Sequence, residues 1–159
     1  VPAALSLKAR ALKLLAQREH SRSELRRKLL RRRKGDESGA ADPDPAEVDH
    51  LLDWLQQQGW LSDERFAALR VQSRAARFGT RRIRDELAQH GIELADDADA
   101  ALRASELDRA CALWARKFGS PPADATERAR QMRFLAARGF AHDVVRRAVP
   151  GVQGRPNDD

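Results

Sequence analysis

Residues 55–79 read LQQQGWLSDERFAALRVQSRAARFG, and the role of Gly59 within them decides the fold. Leu55 stands four positions before that glycine, and the large apolar Trp60 follows it at once. The same spelling returns as Leu87–Gly91–Ile92 in LAQHGI and as Leu135–Gly139–Phe140 in LAARGF. A glycine just past a helix takes the left-handed conformation that other residues resist. The third residue from the helix end then meets the apolar residue beyond the glycine. This Schellman arrangement puts a helix stop at each site, and its recurrence predicts a repeat.

Working outward, helices follow one another with short breaks. Leu5–Arg18 carries Leu7, Ala11, Leu14 and Leu15 at helical spacing. Ser21-Arg22-Ser23-Glu24 spells a capping box and opens a short helix with Leu25 and Leu29 on one face. Asp44-Pro45-Ala46-Glu47 combines an N-cap, a first-turn proline and an acid, ahead of Val48, Leu51, Leu52 and Leu55. Ser62-Asp63-Glu64 starts a helix carrying Phe66, Leu69, Ser73 and Ala76, and Gly79-Thr80 starts one carrying Ile83 and Leu87. A weaker helix is expected near Asp96–Arg103. Ser105 is expected to cap the next, with Leu107, Cys111, Trp114 and Phe118 facing inward. Asp124–Arg138, with Ala129, Met132, Leu135 and Ala136 inward, and Ala141–Val149 complete the set.

About nine short helices in groups of three are thus expected. Helices of this length are marginal alone in water and must bury their apolar stripes on neighbours. The pattern predicts an all-α fold: an elongated tandem array of three three-helix repeats, with a single compact helical domain as the alternative. The repeats would span 1–61, with an acidic loop at 35–44, then 62–104 and 105–149, followed by a flexible tail at 150–159.

Composition agrees with helix. Of the 159 residues, 42% are hydrophobic and 34% charged, and tyrosine is absent. No apolar run approaches the roughly 18 residues of a membrane span, and no secretory leader is visible at the start. Cys111 is the only cysteine, which excludes an internal disulfide and fits a reducing cytoplasm. The first residue is Val1 rather than methionine, which suggests a trimmed or truncated start.

Net charge is +6, unevenly spread. Arg22, Arg26, Arg27, Arg31, Arg32 and Arg33 crowd one stretch, and Arg70, Arg74, Arg77, Arg81, Arg82 and Arg84 another. Between them, Asp36 to Asp53 is acidic without a lysine or arginine. Such segregation predicts an oriented surface for a polyanion or an acidic protein patch.

Catalytic chemistry leaves no comparable trace. No Gly-rich phosphate loop or nucleophile elbow is present. Cys111 falls on an apolar stripe, which predicts a core thiol. His20, His50, His90 and His142 lack zinc-site spacing. Glu47-Val48-Asp49-His50 spells Glu-x-x-His, but a carboxylate-bundle metal site needs a second copy. No enzyme activity, cofactor or metal is therefore expected. The tryptophans and phenylalanines fall on apolar stripes and turn locks, so they are expected in the core rather than as stacking platforms for nucleic acid.

Gly59-Trp60-Leu61-Ser62-Asp63-Glu64-Arg65-Phe66-Ala67 resembles the signature of the RecX family of bacterial recombinase regulators. Gly79-Thr80-Arg81-Arg82-Ile83-Arg84-Asp85-Glu86-Leu87 with His90-Gly91-Ile92 is similar to a second segment of that family. Arg18–Ser21 with Glu24–Leu29, and Phe134-Leu135 with Arg138-Gly139-Phe140, resemble its first and third repeats. Trp60 stands where the family usually has tyrosine or phenylalanine. The resemblance runs from about residue 9 to 149. It implies tandem three-helix repeats without catalysis, which bind RecA and its filament on single-stranded DNA. It further implies restraint of ATPase, strand exchange and filament growth, and so modulation of recombination, DNA repair and the SOS response.

Beside that implication, the basic faces predict contacts to RecA or phosphate through Arg22, Arg26, Arg27, Arg31, Arg32, Arg33, Arg74, Arg77, Arg81, Arg82 and Arg84. A weak electrostatic contact with single- or double-stranded DNA is expected beside these, and the alternatives are a direct DNA-binding helical regulator and a scaffolding helical repeat without effect on RecA. No membrane or small-molecule partner is expected.

Overall fold

The computed structural model describes residues 5–31 and 42–153. Among these, the chain forms nine helices: α1 (Leu7–Gln17), α2 (Arg22–Leu30), α3 (Pro45–Gln57), α4 (Asp63–Arg74), α5 (Thr80–Ala88), α6 (Asp96–Ala104), α7 (Glu106–Lys117), α8 (Ala125–Ala137) and α9 (His142–Ala148). No strand occurs among the described residues. Arg32, Arg33 and most of the acidic loop at 35–44 lie outside them.

Caps account for several of the helix starts. Ser6 Oγ accepts from Ala9 N at 3.2 Å, Ser21 Oγ from Glu24 N at 3.1 Å, and Ser62 Oγ from Arg65 N at 3.2 Å. Asp44 and Asp124 cap α3 and α8 through Ala46 N and Glu127 N. The Ser21 box is only half made, because the Glu24 carboxylate turns to Arg18 at 2.5 Å and Lys28 at 3.2 Å.

All three stops have the positive φ that the glycine spelling predicts, and the first and third carry its hydrogen bonds as well. Gly59, Gly91 and Gly139 have φ of 74°, 69° and 85°. At Gly59 the two Schellman bonds are Trp60 N to Leu55 O at 2.9 Å and Gly59 N to Gln56 O at 3.0 Å. Gly139 repeats them, with Phe140 N to Leu135 O at 3.4 Å and Gly139 N to Ala136 O at 3.0 Å. Leu55 and Leu135 are fully buried.

The chain divides into two compact units, Val1–Ala68 with His90–Ile92, and Leu69–Gln89 with Glu93–Asp159. The first unit packs α1, α2 and α3 around Ala11, Leu25, Leu29, Val48, Leu52, Leu55 and Leu61. His90 belongs here: its Nδ1 pairs with Ser21 Oγ at 2.8 Å, and its carbonyl accepts from Ser23 Oγ at 2.9 Å. Trp60 departs from the core expectation. It is 47% exposed and lies edge-on against Trp54, which packs on the core and has the Lys8 ammonium 3.9 Å from its ring centroid.

The second unit buries Ala110, Leu113, Leu135, Phe140, Val144, Val145, Ala148 and Val149 between α7, α8 and α9. Gln131, also buried, accepts from Trp114 Nε1 at 2.7 Å and donates to Glu127 at 3.2 Å. Residues 150–153, expected to begin a frayed tail, are tied back through Gln153 N to Pro122 O at 3.2 Å.

Two expected helix faces are wrong in part, although Leu107 and Trp114 pack on the core of the second unit and Phe66 is buried as expected. On α7 the buried positions are Glu106, Ala110 and Leu113, while Cys111 is exposed. On α4 they are Phe66 and Ala67, and Leu69 is 51% exposed. On α7 the cause is Glu106, a carboxylate that apolar periodicity assigns to solvent and that the fold draws inside.

Candidate functional site

Arginine is the raw material of the site, and the neighbours of each guanidinium decide what it can do. In the first unit, packing α2 on α3 erases the charge separation seen along the chain. Arg26 makes two bonds to Asp49, at 2.7 and 3.1 Å. This fork-to-fork geometry holds the Asp49 carboxyl below its ordinary value and Arg26 above its own. Arg22 pairs with Asp53 at 2.8 Å and with the Gln56 carbonyl oxygen. Its backbone N–H donates to Asp63 at 2.8 Å. Arg27 and Arg31 are exposed and have no carboxylate partner among the described residues.

The second unit assembles its arginines differently. The chain leaves α4 through a tight turn in which Arg77 N and Phe78 N both donate to Arg74 O at 3.0 Å. Gly79 N then donates to Arg138 O at 2.9 Å, pressing this corner onto the turn between α8 and α9. A Cβ on Gly79 would collide with the carbonyl of Gly139 and with Phe140 N, and one on Gly139 would lie 2.6 Å from Arg82 Cβ. Two glycines are therefore required where the turns meet, and their approach carries Arg138 to Phe78.

Phe78 is consequently ringed by cations. The guanidinium carbons of Arg82, Arg138, Arg74 and Arg77 lie 4.4, 5.5, 5.8 and 5.8 Å from its ring centroid. Arg138 also lies 5.0 Å from the Phe134 ring, which Lys117 approaches to 5.6 Å. Phe134 meets Phe118 edge-on at 5.4 Å, with Arg130 5.7 Å from the latter ring. Phe66 and Phe140 are buried as expected and Phe134 packs half-buried against the core, whereas Phe78 and Phe118 are only partly buried.

Carboxylates reach some members of this ridge and not others. Arg74 pairs with Glu86 at 3.1 Å, Arg130 with Glu127 at 2.9 Å, and Arg84 with Asp99. Arg77, Arg81, Arg82, Arg138 and Lys117 have no carboxylate partner among the described residues. Arg81 and Arg82 occupy the first turn of α5, which holds no acid and whose N-cap Gly79 offers no side-chain acceptor. Basic residues there oppose the helix dipole and leave the corner strongly electropositive. Beside it opens a groove of about 450 Å³ lined by Thr80, Arg81, Arg84, Arg103, Gly139 and His142, among others.

Two residues of α7 that sequence periodicity passes over hold this corner in place. Glu106 Oε1 accepts from Thr80 N and from Ala141 N, each at 3.2 Å, and so caps α5 and α9 at once. Neither helix has a side-chain cap of its own. Arg109 donates to Ala75 O at 2.8 Å, Phe78 O at 2.6 Å and Leu102 O at 3.1 Å, satisfying the ends of α4 and α6. Burial pushes the Arg109 guanidinium below its ordinary value, with Glu106 opposing the shift. Ser105, expected as the cap of α7, instead donates to Leu102 O at 3.0 Å and accepts from Arg109 Nε at 3.0 Å.

An all-α chain of short-helix units with a cationic face defines a helical-repeat protein and singles out no partner. Comparison narrows the class. The family model described as "RecX, second three-helix domain" matches residues 62–102, and "RecX, third three-helix domain" matches residues 104–149. The regulatory protein RecX of Ralstonia nicotianae is 51% identical over 158 residues, covering 97% of this chain and 92% of that protein. That of Leptothrix cholodnii is 54% identical over 147 residues, covering 91% and 88%. A crystal structure of RecX from Lactobacillus salivarius superposes with a TM-score of 0.66 at 18% identity, covering 89% of this chain and 91% of that one, and shows the same fold. The chain belongs to the RecX family of regulatory proteins, as an all-α array of three-helix domains.

Proposed function

We propose that this chain is a non-catalytic regulator of the RecA recombinase. It binds RecA and the RecA filament on single-stranded DNA and inhibits ATPase, strand exchange and filament growth. Recombination, DNA repair and the SOS response are modulated as a result, and the work is done in the cytoplasm, where such filaments form. Membership of a family of regulatory proteins supports the reading.

The observation that carries it is the uncompensated arginine face at the α4–α5 corner: Arg77, Arg81 and Arg82 point no charge at any described carboxylate. Guanidiniums left free in this way match carboxylate or phosphate forks on a partner. Arg22, Arg26, Arg74 and Arg84 already hold carboxylates, so a partner must displace those first. The contact therefore centres on Arg77, Arg81 and Arg82, with Arg27 and Arg31 as an outlying set. The segments 1–61, 62–104 and 105–149 act as three modules that present these faces.

The test is the ATPase rate of RecA on single-stranded DNA with substoichiometric protein. Inhibition is expected, and weaker inhibition by an Arg77/Arg81/Arg82 triple substitution to glutamate. An unchanged rate with the wild-type chain overturns the proposal.

A further inference from the structure

The groove beside the α4–α5 corner lies wholly within the second unit, and its charge is only partly spent. Thr80, Arg81 and Arg84 line it from α5, Arg103 and Glu106 from α6 and α7, and Ala136 with residues 139–142 from the end of α8 and the start of α9. Glu106 brings no free charge. One of its oxygens is taken by the N–H groups of Thr80 and Ala141, and the Arg109 guanidinium offsets it.

Asp99 is the carboxylate that answers the groove arginines. Arg84 grips it through Nε and Nη2, and Arg103 Nε lies 3.1 Å from the same carboxylate. A guanidinium has more donors than such a contact uses, so Arg84 Nη1 and both terminal nitrogens of Arg103 stay available. Arg81 is exposed and has no carboxylate partner among the described residues. Three guanidiniums against one carboxylate leave a surplus of two positive charges around the groove.

We infer that this groove binds a phosphomonoester, the dianionic phosphate group of a small phosphorylated molecule. A terminal phosphate carries roughly −1.5 to −2 charges at pH 7, which matches the surplus. A phosphodiester, with a single charge, matches it less well. The unspent guanidinium donors form the planar forks that phosphate oxygens accept, so the ligand binds without releasing Asp99. The volume of about 450 Å³ falls in the range of small-molecule sites, roughly 300–1,000 Å³, and exceeds what a lone phosphate fills. Ala136, Gly139 and Ala141 leave an uncharged side for the organic part. No such site is legible along the sequence, because its residues come from separate helices. Arg77, Arg82 and Arg138, which gather on Phe78, do not line it. It shares Arg81 with the face proposed for recombinase contact, but its occupancy needs no recombinase.

Two-dimensional amide NMR of the full chain tests this with three probes: adenosine 5′-monophosphate, inorganic phosphate, and dithymidine monophosphate, whose only phosphate is a diester. Saturable shifts confined to residues 80–84, 103–106 and 139–142 are expected with the adenosine monophosphate, with the diester binding at least about tenfold more weakly. Arg103→Gln and Arg81→Gln should each weaken the monoester about tenfold, the loss of one charged hydrogen bond. Both side chains are exposed, so both variants fold. Arg138→Gln, a cation of the same unit outside the groove, should leave the affinity unchanged. Inorganic phosphate binding as tightly as the monoester makes the free ion the ligand of this phosphate site; weaker binding assigns the site to the phosphorylated organic molecule. No saturable shift at these amides, equal affinity for the diester, or wild-type affinity in both groove variants would each overturn the site. RecA ATPase inhibition by the same proteins keeps the readings apart: inhibition without monoester binding sinks this site alone, and monoester binding without inhibition sinks only the recombinase proposal.

Discussion

Gly79 and Gly139 meet backbone to backbone: Gly79 N donates to the carbonyl of Arg138, and its missing Cβ leaves room for the peptide that joins Gly139 to Phe140. The arginines on either side of this meeting, Arg82 and Arg138, share the Phe78 ring as a consequence. One packing contact between two turns thus builds the cationic ridge, and its loss should separate stability from surface chemistry in a measurable way.

Gly79→Ala places a methyl group into backbone that cannot retreat, so the second unit should lose roughly 2–3 kcal/mol, the upper range for overpacking. Gly59→Ala meets open space and carries only the cost of a left-handed alanine, roughly 1 kcal/mol. Urea unfolding of both variants checks the ranking; a Gly59 variant less stable than the Gly79 one would refute the close approach.

Glu106→Ala removes the acceptor for two helix starts. With each cap worth roughly 0.5–2 kcal/mol, the loss should be roughly 1–4 kcal/mol. Glu106→Gln keeps a carbonyl oxygen in place and should recover part of it. Equal stability of wild type and Glu106→Ala in urea would show that the caps are not made.

Acid should weaken the first unit in two steps. Burial, with the charges of Arg18 and Lys28, holds His20 below its ordinary 6.5. It donates Nδ1–H to Arg18 O at 2.9 Å and accepts from Lys28 at 3.0 Å, so the folded unit keeps it neutral. The unfolded chain therefore takes up the proton first, and stability complete above about pH 6.5 declines as pH falls through that value. Glu24 follows. Burial alone would raise its carboxyl, but hydrogen bonds and charge from Arg18 and Lys28 bring it from 4.5 to about 2. Its contribution, on the order of 2–3 kcal/mol, is present above about pH 4.5 and lost as pH falls toward 2. Urea midpoints of wild type and Glu24→Gln should differ most at pH 6 and converge near pH 2; a constant gap would contradict the assignment.

Cys111 is exposed although the helical stripe places it inside. In native protein without denaturant, Cys111 should attack a chromogenic disulfide reagent to form a mixed disulfide, releasing one equivalent of the reagent's coloured thiolate at a rate close to that of the unfolded chain. A thiol that reacts only after unfolding would restore the apolar register and displace Glu106 from its caps.

The helix stops, the caps at Ser21, Asp44 and Ser62, and the all-α class were legible because each depends on neighbours within a few residues. Gly59 must turn the chain wherever the rest of the fold lies, and its φ of 74° follows from the local spelling. The arginine stretches were legible as charge, but not as function. Arg26 and Arg82 look alike along the chain, yet one lies against Asp49 and the other over Phe78.

That difference comes from contacts across long stretches of chain. Asp49 reaches Arg26 because α3 packs on α2, and Arg138 reaches Phe78 because two turns meet where neither has a side chain. Glu106 was hidden for the same reason: a carboxylate reads as solvent-facing until distant N–H groups of Thr80 and Ala141 converge on it. Local backbone preference, acting over four or five residues, accounts for where each helix begins and ends. Which charges are neutralised and which stay available to a partner is set by packing, since an ion pair depends on distance in space and not along the chain.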